Sequence, residues 1–104
     1  MQPNPIPIRL KEARKRKGIS QRELGIRAGM DESVASARMN QYEKGKHAPD
    51  IEILRKIAKE LDVPLSYFFC DDKTSAEIVR YLEKLSEDER LNILKTIMEI
   101  SARN

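Results

Sequence analysis

The chain has 104 residues, 39% hydrophobic and 36% charged. That is enough for one modest core and excludes a large multidomain enzyme. The charged share exceeds the usual roughly 25%, which points to a small, heavily solvated, helical domain.

No apolar run approaches the ~18 residues of a membrane span, and Met1-Gln2-Pro3-Asn4-Pro5 lacks the basic-then-apolar form of a secretion leader. A cytoplasmic protein with no membrane role is expected. A single cysteine, Cys70, and a single histidine, His47, are too few for an internal disulfide or a structural zinc site, so no metal or other cofactor is expected.

Charge is unevenly spread. Residues 1–49 carry 11 Lys+Arg against 5 Asp+Glu, a balance of +6, and residues 50–104 carry 9 against 12, a balance of −3. The basic half is a candidate partner for a polyanion, with a plain solvated surface as the alternative.

In chain order, prolines at 3, 5 and 7 predict an extended arm over residues 1–7, with order beginning near Ile8. Arg9 to Lys17 reads as a first helix with Leu10 and Ala13 on one side, closed by Gly18. Ser20-Gln21-Arg22-Glu23 has the form of a capping box opening a second helix, with Leu24 and Ala28 inward and Gly29 at its end. Gly25 and Gly29 stand four apart, a spacing that here predicts close helix packing. Asp31 is the candidate cap of a third helix over Glu32 to Lys44, with Ala35, Met39 and Tyr42 inward and Gly45 after it.

Lys46-His47-Ala48-Pro49 is a basic connector, and Asp50 caps a fourth helix over 51–61 with Ile51, Leu54, Ile57, Ala58 and Leu61 at helical spacing. After Val63-Pro64, a short fifth helix over Leu65 to Phe69 brings Tyr67, Phe68 and Phe69 to the core; Cys70 is expected small and buried or half-buried. Beyond the polar joint Asp71-Asp72-Lys73, capping boxes at Thr74–Glu77 and Ser86–Glu89 open two amphipathic helices. One carries Ile78, Leu82 and Leu85, the other Leu91, Leu94, Ile97, Met98 and Ile100. Strand-like alternation is absent, so the fold class is all-α: an N-terminal arm (1–7), a helical domain (8–70) and a C-terminal helical hairpin (74–101).

Two short helices joined by a turn, the second running into a basic Gly-containing loop, suggest a helix-turn-helix. The runs ARKRKGISQRELG and NQYEKGKHAPDIEILRKIAKELDVPLSYFF make the likeness specific. Over roughly residues 8–69 the chain resembles the lambda-repressor/Cro-like (xenobiotic-response-element) family of bacterial and phage transcriptional regulators. The resemblance implies a five-helix domain whose second and third helices bind DNA, with Ser36, Ala37 and Gln41 facing the bases. It also implies an ion pair between Arg14, late in the first helix, and Glu43, at the end of the third. One departure stands out. Leu24 and Glu43 are separated by 18 residues, about one helical turn more than the family's usual spacing. The extra stretch around Met30 to Ala35 either lengthens the recognition helix at its N-terminal end or enlarges the turn before it.

The residues give the contacts independently. With Ala35, Met39 and Tyr42 inward, rotation by about 100° per residue puts Ala37, Gln41 and Lys44 on the far side, flanked by Arg38 and Asn40. Arg suits guanine O6 and N7, and Gln or Asn suits adenine N6 and N7. The bland readings are a solvated cation for Arg38 and a local backbone bond for Asn40. Gln21, at a helix start, is placed for a phosphate, a role compatible with capping. Lys44, Lys46 and His47 should meet the flanking backbone.

An enzyme needs a nucleophile with its base, a metal or a phosphate loop, and none is visible. The expected activity is sequence-specific binding of double-stranded DNA as a repressor at a palindromic operator. The stripes Ile78, Leu82, Leu85 and Leu91, Leu94, Ile97, Met98 cannot cover each other completely, which favours a homodimer over packing on the chain's own first domain. The rival reading is a protein-interaction module, such as an antitoxin or adaptor, whose tail holds another protein.

Overall fold

The computed structural model describes residues 4–104. Among them lie six α-helices, a 3₁₀ helix and no strand: α1 (Ile6–Lys17), α2 (Gln21–Arg27), α3 (Ala35–Glu43), α4 (Ile51–Leu61), the 3₁₀ helix (Leu65–Phe69), α5 (Lys73–Leu82) and α6 (Glu87–Ala102).

Leu10, Leu24, Met39, Leu54, Ile57, Tyr67 and Phe68 are fully buried and form one core. Around it α2 packs tightly on α3, α1 lies over α3 and the 3₁₀ helix, and α4 supports α2 and α1. Gly25 permits the α2–α3 approach. A Cβ there would sit 2.8 Å from the Cβ of Ala35 and 3.0 Å from its carbonyl oxygen, so no other residue fits without separating the helices.

Short-range capping fixes most helix starts. The Ser20 hydroxyl accepts from the Glu23 amide at 3.0 Å and the Asp50 carboxylate from the Ile53 amide at 2.8 Å. Ser86 and Glu89 complete a reciprocal capping box, whereas the Glu23 carboxylate turns to Arg27 instead of closing one. The hydrogen bonds from Ser86 hold the Glu89 carboxyl below its ordinary range.

Four expectations need correction. First, α1 begins at Ile6, not Arg9: Pro5 is its N-cap and Pro7 sits in its first turn, where a missing N–H costs nothing. The arm is shortened accordingly, and the part of it at residues 1–3 lies outside the described residues.

Second, α3 begins at Ala35 rather than Glu32. The Asp31 carboxylate accepts from the amide of Ser33, at 2.9 Å, and from its hydroxyl, which lowers the pKa of the acid. The Asp31 carbonyl accepts from the amides of Val34 and Ala35. Asp31 thereby closes a turn instead of capping a helix. The extra residues enlarge the turn and leave α3 short, and Arg22 ties the turn back to α2 through Glu32.

Third, α5 is capped by Asp72, whose carboxylate accepts from the Ser75 amide at 2.9 Å, and not by Thr74. Fourth, Tyr67 and Phe68 are buried edge to face with centroids 5.7 Å apart, but Phe69 is half-exposed. With three residues per turn, three successive side chains point in three directions and cannot share one core.

The tail splits in two. α5 is attached: Ala76 is fully buried, Val79 packs on the core, and Glu77, held by Arg80 in two hydrogen bonds, stands 3.9 Å from Arg16 of α1. The Arg80 guanidinium holds the Glu77 carboxyl below its ordinary range. α6 follows after a short loop, packs closely against neither α5 nor the core, and none of its residues is buried.

Candidate nucleic-acid interface

α3 presents its outer side to solvent. Ser36, Ala37 and Arg38 are exposed, Gln41 is half-buried, and Lys44 caps the helix in the open. Gly45, with φ of 74°, turns the chain back, and the Gln41 carbonyl accepts from the amides of Lys46 and His47 at 2.9 and 3.5 Å. The basic loop is thereby folded against the end of α3. Arg38, Gln41, Tyr42, His47 and Ala48 line a shallow notch of about 270 Å³. Two side chains suited to base edges, Arg38 and Gln41, thus share one surface with Lys44, Lys46 and His47, whose N–H groups suit phosphates.

Behind that surface lies a polar anchor. Arg14 Nε donates to Glu43 Oε2 at 2.5 Å and Arg14 Nη2 to Oε1 at 3.0 Å, while Nη1 donates to the Ile19 carbonyl at 3.0 Å. The side chains are 13% and 3% exposed, so the pair is close to fully withdrawn from water. The hydrogen bonds to Glu43 hold the Arg14 pKa above its ordinary value. Gln21 joins this anchor. Its Nε2 donates to Glu43 Oε1 at 3.1 Å and to Asn40 Oδ1 at 3.2 Å. The amide considered for a phosphate is therefore turned inward, and Asn40 is engaged with α2. The sequence does not signal this link, because it depends on how α2 crosses α3.

A second network ties α1 to the 3₁₀ helix. The Tyr67 hydroxyl donates to Glu12 at 2.5 Å, and burial pushes its pKa up. Arg9, itself buried, bonds Glu12 and the Cys70 carbonyl. Half-buried Cys70 has its thiol pKa raised by desolvation, away from reactive thiolate character. No group of His, Cys, Asp and Glu among the described residues is arranged to hold a metal, and no described helix is long and apolar enough to cross a membrane.

Of the tail residues, Ile78, Leu91, Leu94, Ile97 and Met98 are each half-exposed or more, and Leu82 and Leu85 are partly covered. Ile78 and Leu82 join Tyr81 and Ile93, two residues the sequence reading missed, in an apolar groove of about 570 Å³ between α5 and α6.

A helix-turn-helix family model matches residues 10–68, more than half of the chain. The chain belongs to the lambda-repressor/Cro-like helix-turn-helix family. Among solved structures it is similar to the transcriptional regulator BswR, at 37% identity and a TM-score of 0.84 over 95% of this chain and 99% of that one. No curated protein matches the chain. α2 and α3 correspond to the family's helix-turn-helix pair, and membership supports a DNA-binding transcriptional regulator. The similarity to BswR extends beyond residues 10–68, so α5 and α6 belong to a shared architecture.

Proposed function

We propose that this helix-turn-helix protein is a cytoplasmic repressor that binds a palindromic operator as a homodimer, with α3 in the major groove. The observation that carries the reading is the joint surface of Arg38, Gln41, Lys44, Lys46 and His47, built on a recognition helix whose far side is locked into the core. Half-exposed apolar side chains on α5 and α6 support pairing of two copies. A two-fold pair would present two recognition helices to half-sites about 34 Å apart. Repression by occlusion needs no surface beyond those two.

The same groove between α5 and α6 favours a second reading, in which the tail holds a different protein and DNA binding is secondary. Titration of duplex DNA separates base reading from backbone attraction. Gln41→Ala should weaken the preferred site by about 1–3 kcal/mol and relax preference at one position, while Lys46→Ala should weaken all duplexes alike and reduce the salt slope by about 1. A folded Gln41→Ala variant with unchanged affinity and preference would place the reading face elsewhere.

A further inference from the structure

We infer that Asn40 is a donor in the DNA interface, its Nδ2 amide held outward to meet an acceptor atom of the duplex. The inference rests on the proposed DNA reading and fixes the polarity of one of its contacts.

The argument starts from Glu43. A carboxylate only accepts, and here it takes Arg14 Nε and Nη2 on its two oxygens. Gln21, 3.1 Å from Oε1, must therefore present Nε2 and not its own carbonyl oxygen. That nitrogen has one hydrogen left, directed at Asn40 3.2 Å away. Only the Asn40 oxygen can accept it, so Oδ1 faces Gln21 and Nδ2 faces away. Among the described residues no group accepts from Nδ2, and Asn40 is only half-buried.

The position suits the role. About 100° per residue places Ser36, Asn40 and Glu43 along one flank of α3, the flank nearest the start of α2, with Ala37 and Lys44 next to it on the outer side. A duplex meeting Ala37 and Gln41 comes within reach of Asn40. With Oδ1 turned to Gln21, the paired contact to adenine N6 and N7 gives way to one-way donation. Phosphate oxygens and the base acceptors guanine O6 and N7, adenine N7 and thymine O4 all accept it. The arrangement also spends both hydrogens of Gln21 Nε2 inside the protein, so Asn40 takes over the donation expected of Gln21.

The test uses the full chain and measures affinity for a duplex obtained by selection, a scrambled duplex, and the selected duplex with single neutral methylphosphonates. Asn40→Ala removes the donor, and Asn40→Asp keeps the shape while replacing the donor with an acceptor. Asn40→Asp keeps an oxygen for Gln21 and should melt close to the unmodified chain, whereas Asn40→Ala also removes that acceptor and should melt somewhat lower. Both should bind the selected duplex about tenfold more weakly or worse, Asn40→Asp the more so. A deficit shared by the scrambled duplex and abolished by one methylphosphonate identifies a phosphate acceptor, and a deficit confined to the selected duplex identifies a base edge. Either variant binding as the unmodified chain overturns the inference and leaves the DNA-binding reading standing. Failure of the unmodified chain to bind any duplex overturns both. If a variant melts early, the Asn40 side-chain amide protons of the unmodified chain are followed by NMR. Their shift on adding duplex is expected, and unmoved signals at saturation overturn the inference.

Discussion

Glu43→Ala is expected to destabilise the fold by on the order of 3–5 kcal/mol, the cost of leaving one partner of a buried ion pair behind. Glu43 is 3% exposed and Arg14 13%, so water cannot readily replace the lost carboxylate. The Ile19 carbonyl would remain as the guanidinium's sole acceptor, and Gln21 would lose its partner on α3 nearest the core. Chemical denaturation with a linear extrapolation reads the loss directly. A change below about 1 kcal/mol would mean that the pair behaves as a surface contact despite its burial. Arg14→Ala should fall in the same range, and the double variant should lose much less than the two single losses added together.

The second large effect is expected in the tail. Leu94→Ser combined with Ile97→Ser should leave folding intact, since no residue of α6 is buried, yet convert a dimer at micromolar concentration into a monomer by sedimentation. Operator affinity should then fall by roughly 10²–10⁴, because the second half-site is no longer engaged within one complex. A monomeric unmodified chain, or a doubly substituted one that still dimerises, would show that α6 does not pair two copies. Truncation before α5 is a poorer experiment, because Ala76 is fully buried and Val79 packs on the core.

What the sequence disclosed follows the range of the interactions. α4 was legible because its cap, Asp50, and its inward residues Leu54, Ile57, Ala58 and Leu61 are all local signals. Asp31 and Asp72 show how fine the local reading must be. Each precedes a serine, but Ser75 is three residues on and gives a helix cap, whereas Ser33 is two residues on and draws Asp31 into a turn. With that offset the extra residues enlarge the turn, and α3 starts at Ala35.

The solvent-facing positions Ala37, Arg38 and Lys44 could be named from periodicity alone. The pairing of Arg14 with Glu43 came only from family resemblance, since 29 residues separate them. The direction of the Gln21 and Asn40 amides was beyond sequence reading altogether. It is set by a carboxylate on another helix turn and by the angle at which α2 crosses α3, both products of tertiary packing. Helical spacing likewise found the apolar stripe of α6 without showing that nothing in the chain buries it.

Reading of one operator by two copies of this chain requires a symmetric site. Selection of bound sequences from random duplex DNA by the full-length protein tests it most directly, because a single result reports specificity and symmetry together. The expected result is recovery of an inverted repeat with half-site centres about one helical turn, 10–10.5 base pairs, apart. Recovery of no common sequence, or of a single unrepeated site, would contradict it.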